Sequence, residues 1–297
     1  MKDKSKAIGI SLMAVILLVV SQIAAELLAS VFVVVGIPMG ICNTVAGLVY
    51  LYFAWTLLKL FLEKVMHLKS EDYGISAFSL KPKWMIVALL LPLVVIGSYV
   101  VLFPGEYVFS GADSGKIFEI LSAGIFFTGI GSGFVEEMVF RGIIFYALEK
   151  AWNRKTAVII PSVLFGVVHI LGMNFSAGSC LLVILAGTAV GIMFSLITIE
   201  SGSVWCNGLI HALWNIMIIG GGLHIGDKAD ADAVISYVLH TKSFAVTGGD
   251  FGIESSVISL IGYMLVSVTA FLMIRNRPSQ KEKESVSHPD TPAAQAE

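Results

Sequence analysis

The stretch 131–145, GSGFVEEMVFRGIIF, sets two adjacent acids, Glu136 and Glu137, and one arginine, Arg141, in a run that is otherwise hydrocarbon. On a helix Glu137 and Arg141 stand at i and i+4, share a face and neutralise one another. At 3.6 residues per turn Glu136 points about 100° away, towards the small residues Ser132 and Gly133 one turn earlier. The spacing therefore predicts a braced pair, Glu137–Arg141, beside a carboxylate with open space around it. Ionisable groups inside a membrane mark either a packing network or a functional site. From these three residues alone both readings stand.

The composition around this stretch makes the medium lipid. Of 297 residues 57% are hydrophobic and only 13% are charged, against roughly 25% charged in a soluble domain. A span needs about 20 mostly apolar residues. On that criterion an all-α polytopic membrane protein with about eight transmembrane helices is expected, over 8–35, 39–62, 84–103, 116–150, 156–171, 179–199, 204–220 and 254–274. The N-terminal apolar run outlasts a signal h-region, so it reads as an uncleaved first helix. The fourth span is too long for one perpendicular helix; it tilts, breaks near GIGSG or starts along the interface. The fifth and seventh are short, which suits helices sheltered by neighbours. A net charge of −2 leaves no basic face for nucleic acid. Cys42, Cys180 and Cys206 lie in apolar context without CxxC pairing and read as small buried side chains.

Lys and Arg set the orientation. With the N-terminus cytoplasmic, Lys2, Lys4 and Lys6, Lys64 to Lys83, Lys150 to Lys155, and the segment from Arg275 to Lys283 all fall on the inner side. The exception is the turn at 200–203, which carries Glu200 and no cation. The chain is thereby divided into N-terminal helices 1–3 with a cytoplasmic loop (1–115), a four-helix core (116–220) that carries the intramembrane charges of 131–145, an external loop and last helix (221–275), and a disordered cytoplasmic tail (276–297). A multi-pass protein of the cell membrane with both termini cytoplasmic is expected.

Further polar residues stand inside the spans. His169 lies near the far end of the fifth, and His211 and Asn215 sit at i and i+4 in the seventh. Counted at 1.5 Å per residue from the cytoplasmic ends, Glu136 and His169 each lie roughly 20 Å up, and His211 and Asn215 roughly 10–18 Å. One level is within reach of all four. The glycines at 124, 129, 131 and 133 suit a close-packing helix face more than a phosphate loop. Glu26 has no polar residue a turn away in this reading and is assigned to structure. Trp205 reads as an interfacial anchor and Trp214 as a pocket wall, while His67, His224, His240 and His288 read as solvated.

These motifs resemble those of the CPBP family of intramembrane proteases, also called Abi or CAAX-protease-like. Its pattern of Glu-Glu-x-x-x-Arg, Phe-x-x-x-His and His-x-x-x-Asn on successive helices is matched by EEMVFR (136–141), FGVVH (165–169) and HALWN (211–215). The resemblance covers about 116–220; YGISAFSLKPKW (73–84) is a softer likeness. It implies an endopeptidase, often labelled a metalloprotease, acting on a peptide or membrane-protein substrate within the bilayer. It further implies peptide maturation or bacteriocin self-immunity in bacterial members. Carried residue by residue, Glu136 becomes the base, His169 its partner on the attacking water, and His211 with Asn215 the oxyanion stabilisers. Glu137, Arg141 and Phe165 support them.

Two His and a Glu also suit zinc, with Glu136, His169 and His211 as ligands and water in the fourth position. The acid then left over, Glu137, is already neutralised by Arg141, so no free base remains. Water activated by glutamate without a metal is the favoured expectation. Two other classes stay open: a proton-coupled transporter using the same polar residues, and a non-catalytic immunity or scaffold protein that binds a peptide.

Overall fold

A computed structural model describes residues 2–75 and 77–277. The expected disordered tail lies outside these residues from 278 onward, as does His288. In lipid every backbone N–H must find its partner inside the protein, which leaves helices as the economical solution. Among the described residues eight principal helices result: α1 (Lys2–Val34), α2 (Met39–Val65), α3 (Pro82–Leu102), α4 (Ser114–Ala151), α5 (Arg154–Val168), α6 (Ala177–Ser201), α7 (Val204–Ile219) and α8 (Val257–Arg275). Six of them are long and apolar enough to cross a membrane; α5 and α7 are the shorter two. Helices stand at all eight expected positions, six of them of spanning length.

Several helix starts are written in the sequence as side-chain caps. Asp113, Asn153, Ser176, Ser203 and Ser256 each accept a hydrogen bond from a backbone N–H in the first turn of α4 to α8, satisfying donors that a helix leaves open. Pro82 occupies the first turn of α3, where no N–H partner is lost.

The fourth helix neither breaks nor stops at GIGSG. It widens instead, running as a π-helix over Ala123–Ser132 and again over Met138–Ile144, with a short α-helical piece, Gly133–Glu137, between them. π-Turns are rare and gather at functional sites. Here they flank the two glutamates on both sides. The glycines let neighbours approach closely: a Cβ on Gly133 would stand 2.7 Å from the Ala212 backbone of α7, and one on Gly131 3.0 Å from the Tyr50 ring of α2.

The loops between α3 and α4 and between α7 and α8 are not wholly irregular. Three short strands, β1 (Gly105–Phe109), β2 (Leu223–Gly226) and β3 (Ile235–Leu239), form a sheet in the order β1-β3-β2. The β1–β3 pair is antiparallel, with Tyr107 opposite Tyr237. The fold is thus predominantly helical with one small sheet that the sequence reading did not include.

At the opposite end the helix termini share one face. The Lys4 ammonium lies 5.3 Å from the Trp152 ring and that of Lys150 lies 4.0 Å from Tyr73. Glu200, at the end of α6, pairs with Lys83 at 2.5 Å and Arg277 at 3.4 Å and accepts from the Trp84 indole at 2.8 Å. The carboxylate that broke the charge rule therefore collects two of the cations that obey it. Two apolar cores lie between the faces, one around Tyr50, Phe145 and Leu58 and another around Trp84, Phe194 and Tyr263. Leu12, Ile16, Leu27, Leu93 and Leu265 point outwards, as a lipid-facing belt requires.

Candidate active site

α4, α5 and α7 bring Glu136, His169, His211 and Asn215 to the wall of one cavity of about 170 Å³, together with Ser132, Phe165, Phe194 and Trp214. Local spacing does most of this positioning. Glu137 and Arg141 pair as the i, i+4 relation requires, at 2.9 Å, with both side chains fully buried. Arg141 is also held by aromatic faces, 4.3 Å from the Phe165 ring and 5.1 Å from Phe194, a cation–π arrangement that gains strength when desolvated. Phe165 packs in turn on His169, with ring centroids 4.5 Å apart, and edge-on to His211 at 6.0 Å. One phenyl ring thus braces the cation and both imidazoles.

The two glutamates differ in partners. Glu137 accepts from Arg141 and, through the same oxygen, meets His211 Nδ1 at 3.0 Å. Glu136 accepts no hydrogen bond from any described side chain or backbone group and lines the cavity. Adjacent positions on a helix diverge by about 100°, and that divergence separates a braced carboxylate from an unoccupied one.

Hydrogen bonds fix what the imidazoles present to the cavity. His169 Nδ1 lies 2.6 Å from the Phe165 carbonyl, which can only accept, so Nδ1 carries the proton and Nε2 holds a lone pair. His211 Nδ1 faces a carboxylate and is likewise the N–H in the neutral ring. Two points of the sequence reading change here. The N–H expected of His211 in the cavity is spent on Glu137, so Nε2 donates there only in the imidazolium form. One N–H of Asn215 is engaged as well, donating to the Thr128 carbonyl at 2.9 Å; its second amide proton is the one left for a ligand.

Five further residues were missed or misread in the sequence. Phe194 stacks on His211, with centroids 5.3 Å apart and planes at 26°. Glu254 enters the same cavity from the turn before α8, where its Oε2 accepts from Trp214 Nε1 at 3.3 Å. Glu26 does have a polar neighbour a turn away, since Gln22 donates to it at 2.9 Å on the exposed side of α1. Trp205 is no interfacial anchor but is buried between Phe78 and Phe134. His224 is half-buried on β2, 3.7 Å from Asp230.

For zinc, the set Glu136, His169 and His211 would have to converge. Among the described residues no group of three or more His, Cys, Asp or Glu side chains is drawn together so as to hold a metal ion. The residues as placed do not make that ligand set.

Residues 118–217 match the family model described as "Type II CAAX prenyl endopeptidase Rce1-like". The match spans about a third of the chain and contains Glu136, Glu137, Arg141, Phe165, His169, His211 and Asn215, in agreement with the resemblance carried by the three motifs. No curated protein and no solved structure matches the chain. At family level the match supports a CAAX-type protease, and together with the apolar helices it supports a multi-pass membrane protein.

Proposed function

We propose that the chain hydrolyses a peptide bond of a membrane-associated protein or peptide by a water that Glu136 activates. The observation that carries this reading is the cavity itself. It joins a carboxylate without a hydrogen-bond partner to an imidazole whose Nε2 lone pair is free, and both lie beside further donors. Glu136 takes a proton from water held between it and His169 Nε2, and the hydroxide oxygen attacks the substrate carbonyl carbon. Negative charge then develops on the carbonyl oxygen. The second amide proton of Asn215 and, with Glu137 as counter-ion, the imidazolium Nε2–H of His211 stabilise it. The proton on Glu136 passes to the leaving nitrogen as the C–N bond breaks. The packed aromatic walls exclude bulk water and strengthen each of these interactions.

The test is cleavage of a proteome-derived peptide mixture by the full chain in lipid vesicles, mapped by mass spectrometry. Glu136→Gln is expected to lower cleavage by about 10²–10⁴-fold without altering unfolding in detergent. Cleavage by that variant at the native rate overturns the assignment of the base, and a native protein that cleaves nothing overturns the peptidase. Chelators are expected to leave the rate unchanged; loss of activity restored by zinc overturns the metal-free route. If the chain instead protects a cell by binding a toxic peptide, Glu136→Gln keeps the protection. We place the Lys-rich face and both termini on the cytoplasmic side of the cell membrane by the cation excess there. Proteolysis of a C-terminal tag in intact cells against lysed ones checks this.

A further inference from the structure

Glu254 is a carboxylate of the cavity for which the hydrolysis has no use. It stands in the short helical turn Ile253–Ser255, outside the segment matched by the family model, and its backbone is tied down. The Tyr263 hydroxyl donates to its carbonyl at 3.1 Å, and Ser255 at its side donates to Gly248 at 2.6 Å. Its Oε2 accepts from Trp214, whereas Oε1 accepts from no described residue.

Glu254 is also a shared wall. Together with Ile219 and Phe251 it lines both the cavity of Glu136 and a second one of about 220 Å³ towards the sheet, where Asp230 stands. No lysine or arginine lines either cavity, and Arg141 is committed to Glu137 behind the Phe165 ring. Carboxylates therefore stand in both cavities; Asp230 has His224 at 3.7 Å, whereas Glu254 has no lysine or arginine partner among the described residues. A long flexible stem ending in a cation fits such a shape: its methylenes pass the apolar wall and its head meets the carboxylate.

Resting on the peptidase reading above, we propose that Glu254 and the cavity beyond it form a subsite for a basic side chain of the substrate. A lysine or arginine near the scissile bond reaches past Phe251 and donates to Glu254 Oε1, so that peptides carrying one are preferred. The subsite sets specificity; it performs no bond-breaking step.

The peptide-mixture assay in vesicles tests this, with the native chain, Glu136→Gln, Glu254→Gln and Glu254→Arg compared and the unfolding of each followed in detergent. Cleavages that require Glu136 are expected to be enriched in Lys or Arg at one fixed position relative to the cut. Losing a charge-assisted hydrogen bond, Glu254→Gln is expected to lower that enrichment by about tenfold, and Glu254→Arg to turn the preference towards acidic residues. Glu136-dependent cleavage with no basic preference overturns the subsite while leaving the peptidase standing, and so does a basic preference that Glu254→Gln retains. A stable Glu254→Gln that loses basic and neutral cleavages alike overturns it in favour of a proton-donating role. The absence of any Glu136-dependent cleavage removes the peptidase and the subsite together.

Discussion

Two glutamates in this chain each gather several donors, with opposite consequences. Glu200 sits at the Lys-rich face, and the Lys83 and Arg277 side chains that pair with it are 45% and 49% exposed. Glu137 sits in the middle of α4, and neither it nor Arg141 has any exposed side-chain surface. At the face, water replaces a partner lost by Lys83 or Arg277, although Glu200 itself is only 6% exposed, so the cations tie the ends of α3, α6 and α8 together at small energetic cost. In the interior nothing replaces a lost partner. The cluster there is even left incomplete, because Glu137 Oε2, Arg141 Nε and Arg141 Nη2 have no hydrogen-bond partner. A buried ion pair in that condition adds little net stability compared with a hydrophobic replacement. What it supplies is placement: it holds Glu137 against His211 and keeps Arg141 from neutralising Glu136.

The comparison breaks first, and most severely, at Arg141. Arg141→Leu leaves a charged Glu137 alone in the interior and is expected to cost about 3–5 kcal/mol, read from unfolding of the purified protein in detergent. Replacing both partners, Glu137→Leu with Arg141→Leu, removes the uncompensated charge and should recover most of that loss. Activity should not return, because His211 Nδ1 then loses the carboxylate that fixes its tautomer, which ring stacking on Phe165 and Phe194 does not replace. A double variant as unstable as the single one, or one that cleaves peptides normally, would show the pair to be ordinary packing.

The face responds more mildly. Glu200→Ala strands the Trp84 indole N–H, which is buried, so an intermediate loss of about 1–3 kcal/mol is expected. Peptide cleavage should continue, since the Glu200 cluster lies at the end of α6 and outside the cavity wall. If Glu200→Ala instead abolishes cleavage while remaining folded, the division between a tying cluster and a positioning cluster fails.

The same contrast explains what the sequence could show. Glu137–Arg141 and His211–Asn215 were legible because i and i+4 fix a shared helix face before any tertiary contact forms. The long apolar runs gave the helices for a similar reason, since lipid permits few alternatives. Glu254 was not legible as part of the site. It lies at the edge of an apolar run, and only the turn at Gly252, with φ +93°, and the short helix after it direct the carboxylate inward. The sheet escaped because β1 and β3 are more than a hundred residues apart, and the alternation in GEYVF and ISYVL is too short to signal a pairing. The loss of an N–H at His211 was equally invisible, because it depends on which nitrogen meets Glu137 across two helices. The Gln22–Glu26 pair could have been seen, as it has the same i, i+4 spacing that revealed the site.

The smallest effect provides the sharpest test of the contrast. Lys83→Ala removes a cation that stands almost half in solvent, and two donors to Glu200 remain, Trp84 and Arg277. A loss of about 0.2–1 kcal/mol is therefore expected. Salt should erase much of it, because mobile ions screen exposed charges over roughly 8 Å at physiological strength and over less as salt rises. The Arg141→Leu loss should be the same at low and high salt, since no ion reaches the interior. Unfolding of both variants across a salt series therefore separates the clusters by solvation alone. A salt-insensitive Lys83 effect would mean that the face cluster is as dry as the core, and the distinction between tying and positioning would lose its physical basis.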